Sequence, residues 1–257
     1  MKYFLQTLLL LLATAPGLAS ATIFLDDRNA CQAISGIYRT TTSIADQVAE
    51  CRLHESFTLP RDEYLEIASG YGLYVDSGAT LTNQGRIRVY PRAKLQVDDG
   101  FLSNEELIEN DGDVTVLSGF LFNNGTIEND RHINVLDRPN SSNSNVLLNK
   151  GPINLANDGQ IRNEGIVFND SGGQITSIAG SSIHNYGHYD SRDDRIAGTF
   201  TNYAQGVANV SRTLTLENAA VFRNEGSLVI ARSSGALILN NGSRLDNVMT
   251  GQIWGLK

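Results

Sequence analysis

Beyond its first 21 residues the chain has no apolar run near the roughly 20 residues that a bilayer-spanning helix needs, so no membrane span is expected in residues 22–257. Basic charge is also scarce. The chain has 20 Lys and Arg against 28 Asp and Glu, a formal net charge of −8. Nucleic-acid-binding proteins carry a basic stripe, and acidic membranes attract the same sign of charge, so the composition speaks against both partners. Cysteine is limited to Cys31 and Cys51, with only His54 close to the pair, which leaves too few ligands for zinc. A phosphate-cradling loop, a Ser/His/Asp order and the glycine-rich nonapeptide of calcium-binding rolls are all absent.

The first 21 residues are a different kind of sequence. Lys2 is their only charge, Leu8 to Leu12 are unbroken, and Ala19-Ser20-Ala21 ends the segment. A basic start, a short apolar middle and a small-x-small end have the form of a secretory signal peptide. Gln6, Thr7, Thr14, Pro16 and Gly17 interrupt the segment, against the alternative of a membrane anchor. Cleavage after Ala21 is expected, with a product that is secreted, displayed at the cell surface or periplasmic. In such a compartment Cys31 and Cys51 are expected to form a disulfide.

What the chain has in abundance is one short phrase. "LTNQGRIRV" at 81–89 returns as "LFNNGTIEN" at 121–129, "LLNKGPINL" at 147–155, "IRNEGIVFN" at 161–169 and "FRNEGSLVI" at 222–230. Aligned on asparagine, the anchors are Asn83, Asn104, Asn123, Asn149, Asn163, Asn185, Asn202, Asn224 and Asn240. The residue two before each is apolar, and glycine stands two after in seven of the nine. Apolar, Asn, Gly and apolar thus share one parity, the period of a strand with one buried face. Alternate anchors are 40, 40, 39 and 38 residues apart. A unit of about 20 residues paired into doublets lies among the repeat lengths of solenoids.

Glycine and asparagine in every unit break helical repeats, and the leucine run of leucine-rich repeats is missing. The expected fold is therefore all-β: a single-stranded right-handed parallel β-helix of about nine coils over residues 57–257. Stacked coils place the repeated Asn side chains one above another, able to pass amide hydrogen bonds along a ladder. The glycine beside each supplies either a positive φ or a close backbone approach.

Over residues 73 to about 250 the repeated "L-x-N-x-G-x-I" resembles the asparagine–glycine β-helices of bacterial autotransporter passengers and haemagglutinin-like adhesins. The resemblance implies an adhesin-like extracellular role. The sequence departs from that group in lacking an Asn-Pro-Asn-Gly-Ile motif, and the final "RLDNVMTGQIWGLK" is expected to hold no translocator barrel.

Residues 22–56 read as an N-terminal cap pinned by the Cys31–Cys51 disulfide. Ile44, Val48 and Cys51 at helical spacing, with Ser43 as N-cap, predict its helix over 43–53. "RPNSSNSN" at 138–145 reads as a loop bulging from one coil.

The functional expectation is a non-enzymatic surface protein, adhesin-like or structural, that binds glycan or protein through its lateral face and loops. End-to-end self-association is a further expectation, because open solenoid ends stack. The alternative is a carbohydrate-active β-helix enzyme, a polysaccharide lyase or glycoside hydrolase. Its site would lie in "HNYGHYDSRDDR", 184–195, with His188, Asp190, Asp193 or Asp194 as the acid–base groups. No cofactor is expected, calcium being the one candidate. Its ligands would be oxygens at three acidic bends: Asp98-Asp99, Asn110 to Asp113, and Asn169 to Gly173.

Overall fold

The computed structural model describes residues 21–42, 47–136, 146–155, 159–170, 173–248 and 250–255. The leader at 1–20 and the loop at 138–145 lie outside the described residues. The chain forms a right-handed parallel β-solenoid. Each coil carries one strand on each of three lateral faces. The first face is a ten-stranded parallel sheet that begins with Thr22–Leu25, Tyr64–Ile67 and Arg86–Val89 and ends with Ala236–Leu239. Nine turns separate its first strand from its last, matching the expected coil number.

The second face runs from Gln47–Leu53 and Tyr71–Val75 through His132–Val135 and Ser182–Asn185 to Arg244–Asn247. The third runs from Phe57–Leu59 and Thr80–Asn83 through Val146–Asn149 and His188–Ser191 to Gln252–Trp254. Two long strands, Lys94–Asn104 and Asp113–Asn123, turn the corner between these faces without interruption. Most strands are four residues long, with the second and fourth side chains buried and the first and third facing outward. This is the parity read from the repeat. Register between coils is in step, for example Leu81 beside Leu102 and Leu102 beside Leu121. The core is a column of fully buried aliphatics, joined towards the C-terminus by Tyr189, Phe200 and Phe222.

The asparagine anchors belong to two stacks, not one. On the third face Asn83 donates through Nδ2 to Oδ1 of Asn104 (2.7 Å), Asn104 to Asn123 (2.6 Å), Asn123 to Asn149 (2.8 Å) and Asn149 to Asn169 (2.9 Å). On the second face Asn163 donates to Asn185, Asn185 to Asn202, Asn202 to Asn224 and Asn224 to Asn247, all at 2.7–2.8 Å. A short pair, Asn110 to Asn129, occupies the first face. The second amide hydrogen commonly goes to a main-chain carbonyl past the corner, as from Asn83 to Leu107 O at 2.9 Å. Oδ1 of Asn83 also accepts the N–H of Gly85. In this way the Asn satisfies the polar backbone that a tight corner leaves unpaired.

The glycines two residues on serve close approach. A Cβ at Gly112 would lie 2.5 Å from the carbonyl oxygens of both Tyr90 and Ala93 in the preceding coil, and Gly112 has no positive φ.

Two expectations are corrected. Asn240 is in neither stack. Its segment "ALIL" pairs on the first face with Thr213–Leu216, and the corner belongs to Asn247, in register with Asn224. Of the helix expected over 43–53, Ser43 and Ile44 lie outside the described residues, and the described remainder is not helical. Gln47–Leu53 is a strand, antiparallel to Gly36–Thr42 and parallel to Tyr71–Val75. Cys51 and Leu53 are both buried, a period of two, and the strand satisfies the open backbone edge of the second face. The cap's helix is Arg28–Ala33, where Asp27 accepts the N–H of Ala30 at 2.8 Å. The Cys31–Cys51 disulfide ties this helix to the strand, with Cα atoms 5.5 Å apart. Gly36 passes against it so closely that a Cβ would lie 2.7 Å from Cys31 Sγ.

Asn123→Ala is expected to strand the Nδ2 of Asn104 and the Oδ1 of Asn149, costing about 3 kcal/mol. Asn240→Ala should lie within about 0.5 kcal/mol of wild type, because Asn240 is exposed beyond a strand end. Urea unfolding of the two variants checks both values. Equal losses would refute the assignment of the stacks.

Candidate functional site

The segment 184–195 crosses from the second face, over the third, to the corner of the first, so its polar side chains diverge. His188 stands outward on the third face. Asp190, on the same strand, is buried and accepts the hydroxyl of Ser211. Asp193 sits at the bend with a φ of 117° and pairs with Arg212 at 3.1 Å. Arg192 pairs with Asp170.

Asp194 points into the core, with no exposed surface. Its carboxylate accepts from Asn169 Nδ2 (3.0 and 3.1 Å), the Ile175 N–H (2.7 Å) and the Tyr189 hydroxyl (2.7 Å). It is therefore the terminal acceptor of the third-face stack. Burial pushes its pKa up to about 6, against the pull of these hydrogen bonds. Burial, followed by the Asp194 charge, raises the Tyr189 phenol well above its ordinary value. A glycosidase needs two carboxyl groups that both reach the sugar. Asp190, Asp193 and Asp194 share no such surface.

The acidic bends are similarly occupied. Asp98 lies 4.0 Å from Arg52, Asp111 pairs with Arg88 at 3.4 Å and Asp113 with His132 at 2.8 Å. Asp99 meets the Ser118 hydroxyl, Asp170 meets Lys150 and Arg192, and Asn110 and Asn169 are stack members. Ser171 and Gly172 lie outside the described residues. Among the described residues no three His, Cys, Asp or Glu side chains converge as a cation site would require.

Among the described residues two concavities gather polar side chains: one of about 410 Å³ beside the first face, lined by Arg61, Asp62, Glu63, Gln84, Arg86 and Glu106, and one on the second face that also holds stacked aromatic rings. The latter is a groove of about 360 Å³, with His132, Asn134, Gln160, Arg162 and His184 on its floor and Tyr186 and Tyr203 on one wall. The tyrosine rings stack 4.0 Å apart at 5°. Arg162 lies 5.5 Å over Tyr186. His184 sits beside Tyr203, its Nδ1 3.2 Å from the phenol oxygen and its Nε2 3.1 Å from Ser182 Oγ. Burial, and then the charge of Arg162, lowers the His184 pKa, so the ring is neutral at pH 7. The bond to Tyr186, with burial second, holds the Tyr203 phenol at about 12. Its hydroxyl is therefore a neutral donor and acceptor.

Four successive corners, "IRNEG", "IHNYG", "FTNYA" and "FRNEG", build this wall. Arg162 bonds to Glu164 (Nε–Oε1 2.9 Å) and Arg223 to Glu225 (2.7 Å), so a neutralised pair bounds the tyrosines at each end. Of these groups the 184–195 motif included only His184 and Tyr186. Tyr203, Arg162, Gln160 and His132 lie in other coils; the first three stand within three residues of the anchors Asn202 and Asn163, whereas no anchor marked His132, whose strand ends at Val135.

No protein-family model and no curated protein matches the chain. A solved structure similar to it is a TibC-catalysed hyper-glycosylated TibA fragment, 17% identical over 91% of this chain and 98% of that one. The TM-score is 0.18, too low for the likeness to bear on fold or function. Among the described residues no helix is long and apolar enough to cross a membrane.

Asp194 has a measurable signature. Its folded pKa lies above the ordinary 3.8, so its contribution to stability is full below about pH 4 and is lost as pH rises through about 6. The shift of roughly two units corresponds to about 3 kcal/mol. Asp194→Asn keeps an acceptor for Asn169 and removes the titration. Its melting temperature is expected to be flatter than wild type between pH 4 and 7. Parallel curves for the two proteins would refute the assignment.

Proposed function

We propose that this is a non-enzymatic β-solenoid, secreted or displayed at the cell surface, that binds glycan through the groove of its second face. The carrying observation is the groove's composition. Amides, imidazoles, phenol hydroxyls and a guanidinium line one concavity, offering donors and acceptors together. The Arg162–Glu164 and Arg223–Glu225 pairs are already neutralised. That chemistry suits a hydroxyl-rich ligand of low charge. Stacked coils hold these groups on strands of fixed register, so little ordering is needed on binding. A disulfide between two cysteines agrees with an oxidising compartment. The adhesin-like role implied by the repeat fits the same reading. No observation favours the enzyme alternative, whose carboxylates are scattered over core, bend and third face.

The purified chain should retain at least one of a panel of neutral polysaccharides without producing new chain ends. Tyr203→Ala and His184→Ala are each expected to weaken retention by about tenfold. Arg86→Ala, on the first face, should leave it unchanged. Chain cleavage abolished by Asp193→Asn would overturn the reading in favour of an enzyme, and failure to retain any glycan would also overturn it.

A further inference from the structure

The three lateral faces differ in charge. Outward positions of the first face carry Glu66, Arg88, Glu109 and Glu128, and those of the second carry Lys94, Asp113, Arg162 and Arg223. On the third face no Lys, Arg or Glu occupies an outward strand position among the described residues. Its one carboxylate, Asp190, is 6% exposed and bonded by Ser211.

Apolar side chains stand outward there instead, in two adjacent columns. Phe101, Phe120, Val146 and Ile166 form one, in register from coil to coil. Phe122, Leu148 and Phe168 form the other. The Phe101 and Phe120 rings meet at 6.3 Å, and Phe120 is 45% exposed. Around this strip the face is polar or small, with Thr80, Thr82, Ser103, His188, Asn209 and Ser227 among its outward side chains, and it ends at Trp254, which is 54% exposed. Isolated apolar residues on a surface are ordinary, whereas a contiguous apolar strip marks an interaction site.

We propose that the third face is where a second copy of this chain packs, side to side, as one β-sheet on another. Three observations select that occupant. The backbone of the face is paired coil to coil, so a partner gains contact only through side chains and must itself be flat. The outward columns repeat with the coil spacing of about 4.8 Å, a period that another solenoid of the same sequence matches along its whole length. The chain is also acidic, so two copies approach with least repulsion across the faces that carry the fewest charges.

Area sets the strength. Nine coils at about 4.8 Å and strands of four residues at about 3.3 Å give a face of roughly 40 by 13 Å, a footprint of about 520 Å². That is below the ~800 Å² per partner of an ordinary stable interface and suits a weak dimer. The apolar strip is smaller still, so the copies must align over most of their length. Sheets packed in this way lie about 10 Å apart. The second-face groove stays open on both copies, so the dimer presents two.

Sedimentation velocity of the purified chain across about 1 to 100 µM, a range spanning ordinary weak-dimer affinities, tests the proposal. The expected result is a dimer that dissociates on dilution and persists in 1 M salt, since among the described residues no Lys, Arg or Glu stands at an outward strand position of the face and the one nearby ammonium, Lys150, already lies over Phe122. Phe120→Glu and Leu148→Glu are each expected to raise the dimer Kd at least about tenfold, with circular dichroism and melting unchanged. Phe101→Lys replaces either variant should it fail to fold, and Arg223→Glu on the second face should leave the dimer intact. A monomer at every concentration would overturn the proposal. So would a dimer indifferent to Phe120→Glu, Leu148→Glu and Phe101→Lys but broken by Ile238→Arg in the last coil, which would identify end-to-end stacking instead.

Discussion

The constraint on which this architecture depends is the polar corner. A coil of about 20 residues must turn sharply where three faces meet, and a sharp turn beside an apolar core leaves N–H and C=O groups that water cannot reach. A buried asparagine repairs the corner from inside. Its oxygen takes the neighbouring donors, its nitrogen serves a carbonyl of the next coil, and the remaining hydrogen reaches the next asparagine. Each corner is thereby tied to its successor, and parallel register is fixed by hydrogen bonds as well as by packing. A slip of one residue would drive every buried aliphatic outward and break the stack together.

The stack changes place as the chain proceeds. It follows the third face from Asn83 to Asn169 and then stops at Asp194, while a new one starts on the second face at Asn163. Both occupy the coil that contains Asn163 and Asn169, so the solenoid has no coil at the junction without a polar corner. A buried carboxylate in the core is explained by this exchange. The last amide of the first stack needs an acceptor, and Asp194 offers two oxygens where no further asparagine follows. The first oxygen of the second stack, Asn163 Oδ1, lies above Val135 and has no hydrogen-bond partner among the described residues. One stack therefore closes on an acceptor and the other opens on one.

Much of this could be read in the amino-acid order. The parity of apolar, Asn and Gly specified strands with one buried face, and the repeat length specified coils. The two cysteines are paired, as their number and spacing led one to expect. The division of the asparagines could not be read, because "L-x-N-x-G" looks the same whether its strand lies on the second or the third face. Asn240 shows the limit well. It has the apolar residue and the glycine at the right offsets, yet its coil places that strand on the first face and gives the corner to Asn247, whose glycine follows at Gly251. The helix at 43–53 failed for a related reason: Val48 and Cys51 fit a helical spacing, but the open edge of the second face recruits the same residues as a strand. The groove was half visible, since His184 and Tyr186 lay in the segment singled out for its chemistry. Their partners come from coils about 20 residues before and after, and only the coil register brings them together.

The one-way order of the asparagine stacks also bears on how such a chain can lengthen. Every amide donates towards the C-terminus, so a copied coil inserted within a run of asparagines finds a donor beneath it and an acceptor above. The hydrogen-bond chain closes again without other change. A copy of the Asn169 coil placed before Asp194 closes in the same way, its asparagine accepting from Asn169 and donating to the carboxylate. A copy of the Asp194 coil does not, because a carboxylate has no hydrogen to pass on. Growth by duplication is therefore permitted along each run of amides and stops at the carboxylate.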